Sequence, residues 1–500
     1  MTQRFVLGID QGSSGSRAVL LDEAGHAAGY GYQPVRRVFP RPGWVEQAPA
    51  EIAASVRAAI AAALAQAGCA AADVAACGIT SQRDTVFAWD RETGQPIGNA
   101  ITWQDLRTVA LVAETDGWAR AGERRERLGQ FPGAYSSAMH IAWRMRHDPA
   151  FRRAADEQRL QLSLAAGWIV RALGEVHDHA LDYSLMQGMT VLDVRRKRLW
   201  DEWIDHLGIP RAALPRPTPT IHDYGALLLA DARGGQAAVP VRAMIADQQA
   251  ALFGYDCRAP GQAACTHGTA SFVNVCAGPA APRQGRPKVY LAWELDGRPT
   301  YSLEADTTVT GAVIRWMQEQ MGWLREPGDL GRLALSVPDA AGVVFVPAFT
   351  GLGVPTEDRT ARGTLLGMTL DTTPAHIARA FLESIGQQVA EILETIRLET
   401  GLQVERLHVG GGISASDAAC QIQADVLGIP VVRAPDTETS VRAAALLAGL
   451  AAGVWPDEAH LPRLPGPERV FEPQRSPQAR MAAAAAWRRA VERARGWAEG

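Results

Sequence analysis

The chain has 500 residues, 47% of them hydrophobic and 21% charged, with a formal net charge of −4. That length exceeds what one core usually supports, so two or three domains are expected, with the composition of a soluble globular enzyme. The charge gives no footprint for nucleic acid or an anionic membrane surface.

The N-terminus runs straight into a strand without a basic-then-apolar leader, and no apolar run approaches the ~18 residues of a membrane span. Phe5 to Asp22 reads FVLGIDQGSSGSRAVLLD: strand, turn of small residues, strand. The tip, Asp10 to Arg17, suits a phosphate. Small residues let backbone amides approach an anion, Ser13 and Ser14 can donate, and Arg17 adds a fixed positive charge. Asp10, at the strand end, is placed to hold a hydrated magnesium ion. The segment is neither the Gly-x-Gly-x-x-Gly fingerprint nor a Walker loop.

Strand and helix signals then alternate, the pattern of α/β domains. Helices are expected at 49–67, 374–400, 416–427 and 440–452. The clearest is 374–400, with Thr373 as N-cap, Pro374 at the first position, Gly401 at the end and an apolar stripe from Ile377 to Ile396. Gly261 to Ala277, GQAACTHGTASFVNVCA, repeats the strand–turn–strand pattern. Two such hairpins suggest two related domains sharing one phosphate site, divided near residue 255 into 1–255 and 256–500. Six cysteines without Cys-x-x-Cys spacing suggest neither zinc nor a disulfide framework, and a cytoplasmic protein.

Several stretches, in order, resemble the FGGY carbohydrate kinase family, and within it the glycerol kinases. They are GIDQGSSGSRAVLLD (8–22), FPRPGWVEQAP (39–49), GITSQRDTVFAW (78–89), NAITWQDLRT (99–108), IADQQAALFG (245–254), HGTASF (267–272), VPAFTGLGVP (346–355), GTLLGMTLDTTPAHIARAFLE (363–383) and HVGGGISASD (408–417). The resemblance covers residues 5 to about 455. It implies two ribonuclease H-like α/β domains of the actin and sugar-kinase ATPase type, with ATP, magnesium and a small polyol or sugar in the cleft, and a homo-oligomer, dimer or tetramer.

The resemblance places the general base at Asp247, with Gln248 as a further hydroxyl contact. A kinase acting on an alcohol sets a carboxylate against the attacking hydroxyl. Arg83 and Asp84 would read a diol, one donating in a planar fork and the other accepting. Trp103, Tyr135 and Phe272 resemble the substrate-site aromatics, whose faces pack on the C–H edges of a small polyol. Nucleotide contacts would come from Ser13, Ser14 and Arg17 on one side and Gly268 and Thr269 on the other. Gly311, Gly411 and Gly412 would form the purine and ribose site. The implied reaction is transfer of the γ-phosphoryl group of Mg-ATP to a primary hydroxyl, guarded against water by domain closure.

Five positions depart from the pattern of glycerol kinases. Asp84 stands where they carry Glu, which pulls the carboxylate back by ~1.5 Å and leaves room for a four- or five-carbon polyol or ketose. Ser416 replaces an Asn, Arg315 a Gln, and His140 a Lys. Gly234 to Val241 reads GGQAAVPV in place of the Gly-Gly-Thr-Arg allosteric loop. A non-catalytic ATP-binding regulator would have no use for Arg83, Trp103 and Tyr135 beside an Asp247-like base.

Overall fold

The computed structural model describes residues 4–231, 234–326, 328–436, 438–464 and 466–498. The first hairpin forms as its sequence predicts. Phe5–Gln11 (β1) and Gly15–Leu21 (β2) pair antiparallel, with Asp10 opposite Arg17. Ala27–Pro34 (β3), Val74–Ser81 (β4), Gly174–Val176 (β5), Ile221–Ala230 (β6) and Gln236–Ala246 (β7) complete a seven-stranded sheet, in the order β3-β2-β1-β4-β7-β6-β5. Within it β4 lies parallel to both β1 and β7.

The second hairpin pairs Ala263–His267 (β8) with Ser271–Gly278 (β9). Lys288–Leu295 (β10), Arg298–Asp306 (β11), Leu407–Gly410 (β12), Val431–Arg433 (β13) and Arg469–Phe471 (β14) join it, in the order β10-β11-β9-β8-β12-β13-β14. Each sheet therefore holds the same five-strand core. An antiparallel run of three (β3-β2-β1 or β11-β9-β8) is followed by two strands parallel to the hairpin's first strand. The fold is α/β with two mixed sheets, as the alternation predicts.

Helices cover these sheets, so the central strands are apolar on both faces. Along β1, Leu7 and Ile9 enter one core cluster while Val6 enters another. Pro49–Ala67 (α1) packs on β2 and β3, where Gly29 and Gly31 admit it. A Cβ at either would lie 2.1 or 2.0 Å from a carbonyl oxygen of α1, on Ala63 and Ala59 respectively. This helix corrects the expectation of no membrane-length apolar run. It is long and apolar enough by composition, but its Ile52, Val56, Ile60 and Leu64 stripe is buried in the fold.

Asp247–Gly254 (α2) follows β7 directly and touches strands of both sheets. Gly311–Glu319 (α3) follows β11. Pro374–Thr400 (α4) ends at Gly401, which has φ 77°, and Asp417–Leu427 (α5) is capped by Ser416. Thr439–Ala451 (α6) comes after the second sheet's β13 yet packs on β1, β4 and α2. Gly8 and Gly78 make that contact possible, since a Cβ there would lie 2.2 Å from Val441 O and 1.9 Å from Ala444 O. The four helices expected from sequence begin and end within one residue of their predicted bounds. Helices α2 and α6 thus share one apolar cluster with residues of both sheets, including Val6, Ile245, Phe253, Ala264, Trp293 and Leu447.

Candidate active site

Parallel strands end together, and the segments leaving those ends form a crevice where α/β proteins place ligands. Here the turn after β1 brings Ser13 and Ser14, the segment after β4 brings Arg83 and Asp84, and β7 delivers Asp247 as the first residue of α2. The second sheet contributes the turn after β8, with Gly268 and Thr269.

On the first turn, Arg17 Nη1 stands 3.7 Å from Asp10 Oδ2, and its Nε 3.0 Å from Glu438 Oε2. Glu438 lies just ahead of α6, so a residue from the far end of the chain pairs with Arg17 of the first hairpin. Burial pushes the Asp10 carboxyl up to about 7; Arg17 opposes the shift, while Asp247 and Glu438 add to it. The Ser13 hydroxyl accepts from Trp103 Nε1 at 2.8 Å and donates to Gln82 Oε1 at 3.3 Å. It therefore joins the first turn to Trp103 and Gln82, and its one hydroxyl proton is engaged by Gln82. Gln82 in turn donates to Gln11 and Gln47, both at 2.9 Å. Ser14 is exposed, and its carbonyl accepts from Val35 N–H at 3.0 Å.

A line of opposite charges runs from Asp247. Asp247 Oδ1 accepts the Gln248 N–H at 2.8 Å and faces Arg83 Nε at 3.6 Å. Arg83 Nη2 donates to Glu304 Oε1 at 3.0 Å, and its guanidinium lies 4.6 Å above the Tyr290 ring. Glu304, fully buried on β11, is also 3.9 Å from Lys288 Nζ, which donates to Asp306 Oδ1 at 3.3 Å. Lys288 stands 5.5 Å over the Tyr135 ring.

Asp84 sits beside Arg83 at φ 63°, a left-handed conformation that Asp tolerates better than most residues. Its carboxyl is buried and pushed up to about 7, with Arg83 and Lys288 opposing. Among the described residues its Oδ1 has no hydrogen-bond partner, and the same is true of Gln248 Oε1. Burial also raises Asp247, against Arg83. Asp306 is raised by burial but held below the ordinary carboxylate range by Lys288.

The Tyr135 hydroxyl donates to Phe131 O at 2.6 Å, so towards a ligand it can only accept, not donate. Phe272 lies directly across from Asp306 in the β9–β11 register, which puts the two side chains on one face. His140, where a lysine was expected, is buried and pushed down to about 4, so it supplies a neutral ring at that position.

At the second hairpin, Gly311 N–H donates to Gly268 O at 3.1 Å and Thr310 N–H to Thr269 O at 2.8 Å. A Cβ at Gly311 would lie 2.6 Å from Gly268 O, so glycine is what lets α3 rest on that turn. Gly411, at φ 82°, presses on the same strand end, where a Cβ would lie 2.3 Å from His267 O. Gly412 is exposed with nothing near its Cβ position, and Arg315 is exposed on α3. The Ser416 hydroxyl accepts from Ala419 N–H at 3.3 Å as the cap of α5, so it serves the helix first.

The structure thus brings together Asp10, Arg17 and Asp247 by charge, and Arg83, Asp84 and Tyr135 around Lys288. Sequence reasoning missed Lys288, Tyr290, Glu304, Asp306 and Glu438. Lys288, Glu304 and Asp306 are charged residues in otherwise apolar strands, as in Tyr301 to Asp306, YSLEAD, which marks them without naming their partners; Tyr290 and Glu438 carry no such mark.

Two family models match this arrangement end to end. The N-terminal domain of the FGGY family of carbohydrate kinases matches residues 5–254, and its C-terminal domain residues 263–452. The chain belongs to the FGGY family. This FGGY kinase is 40% identical over 500 residues to a glycerol kinase of Symbiobacterium thermophilum, covering 100% of both chains. It is 41% identical over 496 residues to a glycerol kinase of Aromatoleum aromaticum, covering 99% of each. Its structure is similar to that of Plasmodium falciparum glycerol kinase with ADP, at a TM-score of 0.89 and 25% identity over 98% of both chains. A xylulose kinase from Brucella ovis shares the fold at a TM-score of 0.83 and 23% identity, again over 98% of both chains. Family membership makes the FGGY kinase an ATP-dependent phosphotransferase.

Proposed function

We propose that this kinase transfers the γ-phosphoryl group of ATP to a primary hydroxyl of a small polyol, with glycerol as the acceptor its relatives name. The reading divides the chain near residue 255 into a first half with the acceptor site and a phosphate loop and a second half that binds the nucleotide. The observation that carries it is Asp247, a half-buried carboxylate of raised proton affinity at the start of the helix shared by both sheets, facing Arg83.

The acceptor hydroxyl lies against Asp247, which aligns it and takes its proton as the new O–P bond forms. The bond between the γ-phosphorus and the bridging oxygen breaks, and ADP leaves with that electron pair. Arg83, fixed at its far end by Glu304, holds the neighbouring hydroxyl, and Trp103 and Tyr135 wall the carbon chain. Ser14, Arg17, Gly268 and Thr269 cradle the phosphates, and Gly311, Gly411 and Gly412 admit the nucleoside. Asp10 suits a hydrated magnesium ion: its carboxyl is mostly buried and paired only loosely with Arg17, 3.7 Å away. When bound, the ion neutralises charge on the phosphates. Catalysis is positioning and electrostatics.

The test is a coupled ADP-release assay with Mg-ATP and glycerol. Glycerol-dependent ADP release, with glycerol 3-phosphate as product, supports the reading. ADP release indifferent to any added polyol or sugar would contradict it.

A further inference from the structure

The charged line that begins at Asp247 does not stop at Arg83. Glu304 Oε1 accepts from Arg83 and also approaches Lys288, which reaches Asp306, so the line continues along the Tyr135 and Phe272 wall. Access differs along the line, whose ends, Asp247 and Asp306, are both 29% exposed. Glu304 is closed off, with its side chain 0% exposed and that of Arg83 9% exposed, while Lys288 and Asp306 are 27% and 29% exposed. Lys288 has three N–H donors and spends one on Asp306 at hydrogen-bond distance; Glu304 at 3.9 Å is an ion-pair neighbour only.

We propose that Lys288 and Asp306 are specificity-determining residues forming a second hydroxyl-reading pair in the acceptor site, so that the site takes a neutral polyol of four or more carbons in addition to glycerol. This rests on the polyol kinase reading above. A donor beside an acceptor matches a vicinal diol as Arg83 and Asp84 do, and the pair lies beyond Arg83 as counted from the reacting carboxylate. Asp84, the acceptor of the first pair, keeps an unpartnered Oδ1 among the described residues. Charge sets the ligand class. Two cations, Arg83 and Lys288, face four carboxyl groups, Asp84, Asp247, Glu304 and Asp306, so an acid acceptor is disfavoured against a neutral one.

The test is steady-state ADP release by the full-length protein with glycerol, erythritol, the three pentitols, glycerate and erythronate, repeated with Lys288→Met and Lys288→Arg. The expected result is that at least one longer neutral polyol has a kcat/KM no lower than that of glycerol, and that both acids are inert. Lys288→Met should lower kcat/KM for that longer polyol by about ten- to a hundredfold more than for glycerol. Lys288→Arg should recover part of the loss. The wild-type profile stands even if Lys288→Met fails to fold. Activity on glycerol with none on longer polyols overturns the inference and leaves the kinase reading in place. An equal loss on all acceptors, or a preferred acid, also overturns it. Silence on every acceptor overturns both.

Discussion

Arg83 is held between two carboxylates: its Nε stands 3.6 Å from Asp247 Oδ1, and its Nη2 donates to Glu304 Oε1 at 3.0 Å. Glu304 belongs to the second sheet and Asp247 to the helix that follows the first. One guanidinium therefore spans the two halves of the molecule at the proposed acceptor site.

Removing Glu304 tests that span. Glu304→Ala leaves Arg83 buried with only Asp247 as a charged partner. The variant should lose about 3–5 kcal/mol of stability, the usual effect of breaking a buried pair by removing one member, and the KM for the acceptor should rise. Urea denaturation and acceptor titration check both. A stability loss below ~0.5 kcal/mol would show that the ion pair does not hold the site.

The buried acids give the ligand-free protein a pH dependence of definite sign. The carboxyls of Asp10 and Asp84 both rise from 3.8 to about 7 on folding. Between those values the folded state binds more protons than the unfolded one, so stability falls as pH rises. Their contribution is fully present below pH 4 and is lost as pH passes through about 7. Asp84→Asn should flatten this decline when urea unfolding is compared at pH 5 and pH 8. An unchanged slope would mean that Asp84 is ionised throughout.

Much of this architecture is legible in the sequence because it rests on local signals. Both hairpins carry small residues at their tips between apolar strands, and α4 has Pro374 at its start and Gly401 at its end. Asp10, Arg83, Asp84 and Asp247 stand inside recognisable motifs. Lys288, Glu304 and Glu438 were not legible, because each acquires its meaning from a partner far along the chain. Glu304 meets Arg83 across 221 positions, and Glu438 meets Arg17 from the opposite end. The packing of α6 on the first sheet is likewise a long-range fact, visible beforehand only as two glycines inside strands.

Those glycines are testable. At Gly78 an added Cβ would fall 1.9 Å from Ala444 O, a backbone atom that cannot swing aside. Gly78→Ala should destabilise the protein by about 1–3 kcal/mol. Gly117→Ala, where the new methyl meets nothing within 4 Å, should stay within ~0.5 kcal/mol of wild type. Thermal unfolding of the pair makes the comparison.

Asp84→Glu returns the carboxylate to a longer reach. The change should raise kcat/KM for glycerol and lower it for longer polyols, because the added methylene fills the space beside Lys288. If the ranking of acceptors does not move, Asp84 does not set the length of the site.

Asp247→Asn is the most direct measurement. The substitution keeps size and hydrogen bonding but cannot take a proton. The account predicts that kcat falls by about 10²–10⁴-fold, while ATP affinity, measured by calorimetry, and the unfolding midpoint stay near those of wild type. Turnover within a few-fold of wild type would contradict the assignment of Asp247 as the base, and with it the mechanism proposed for this fold.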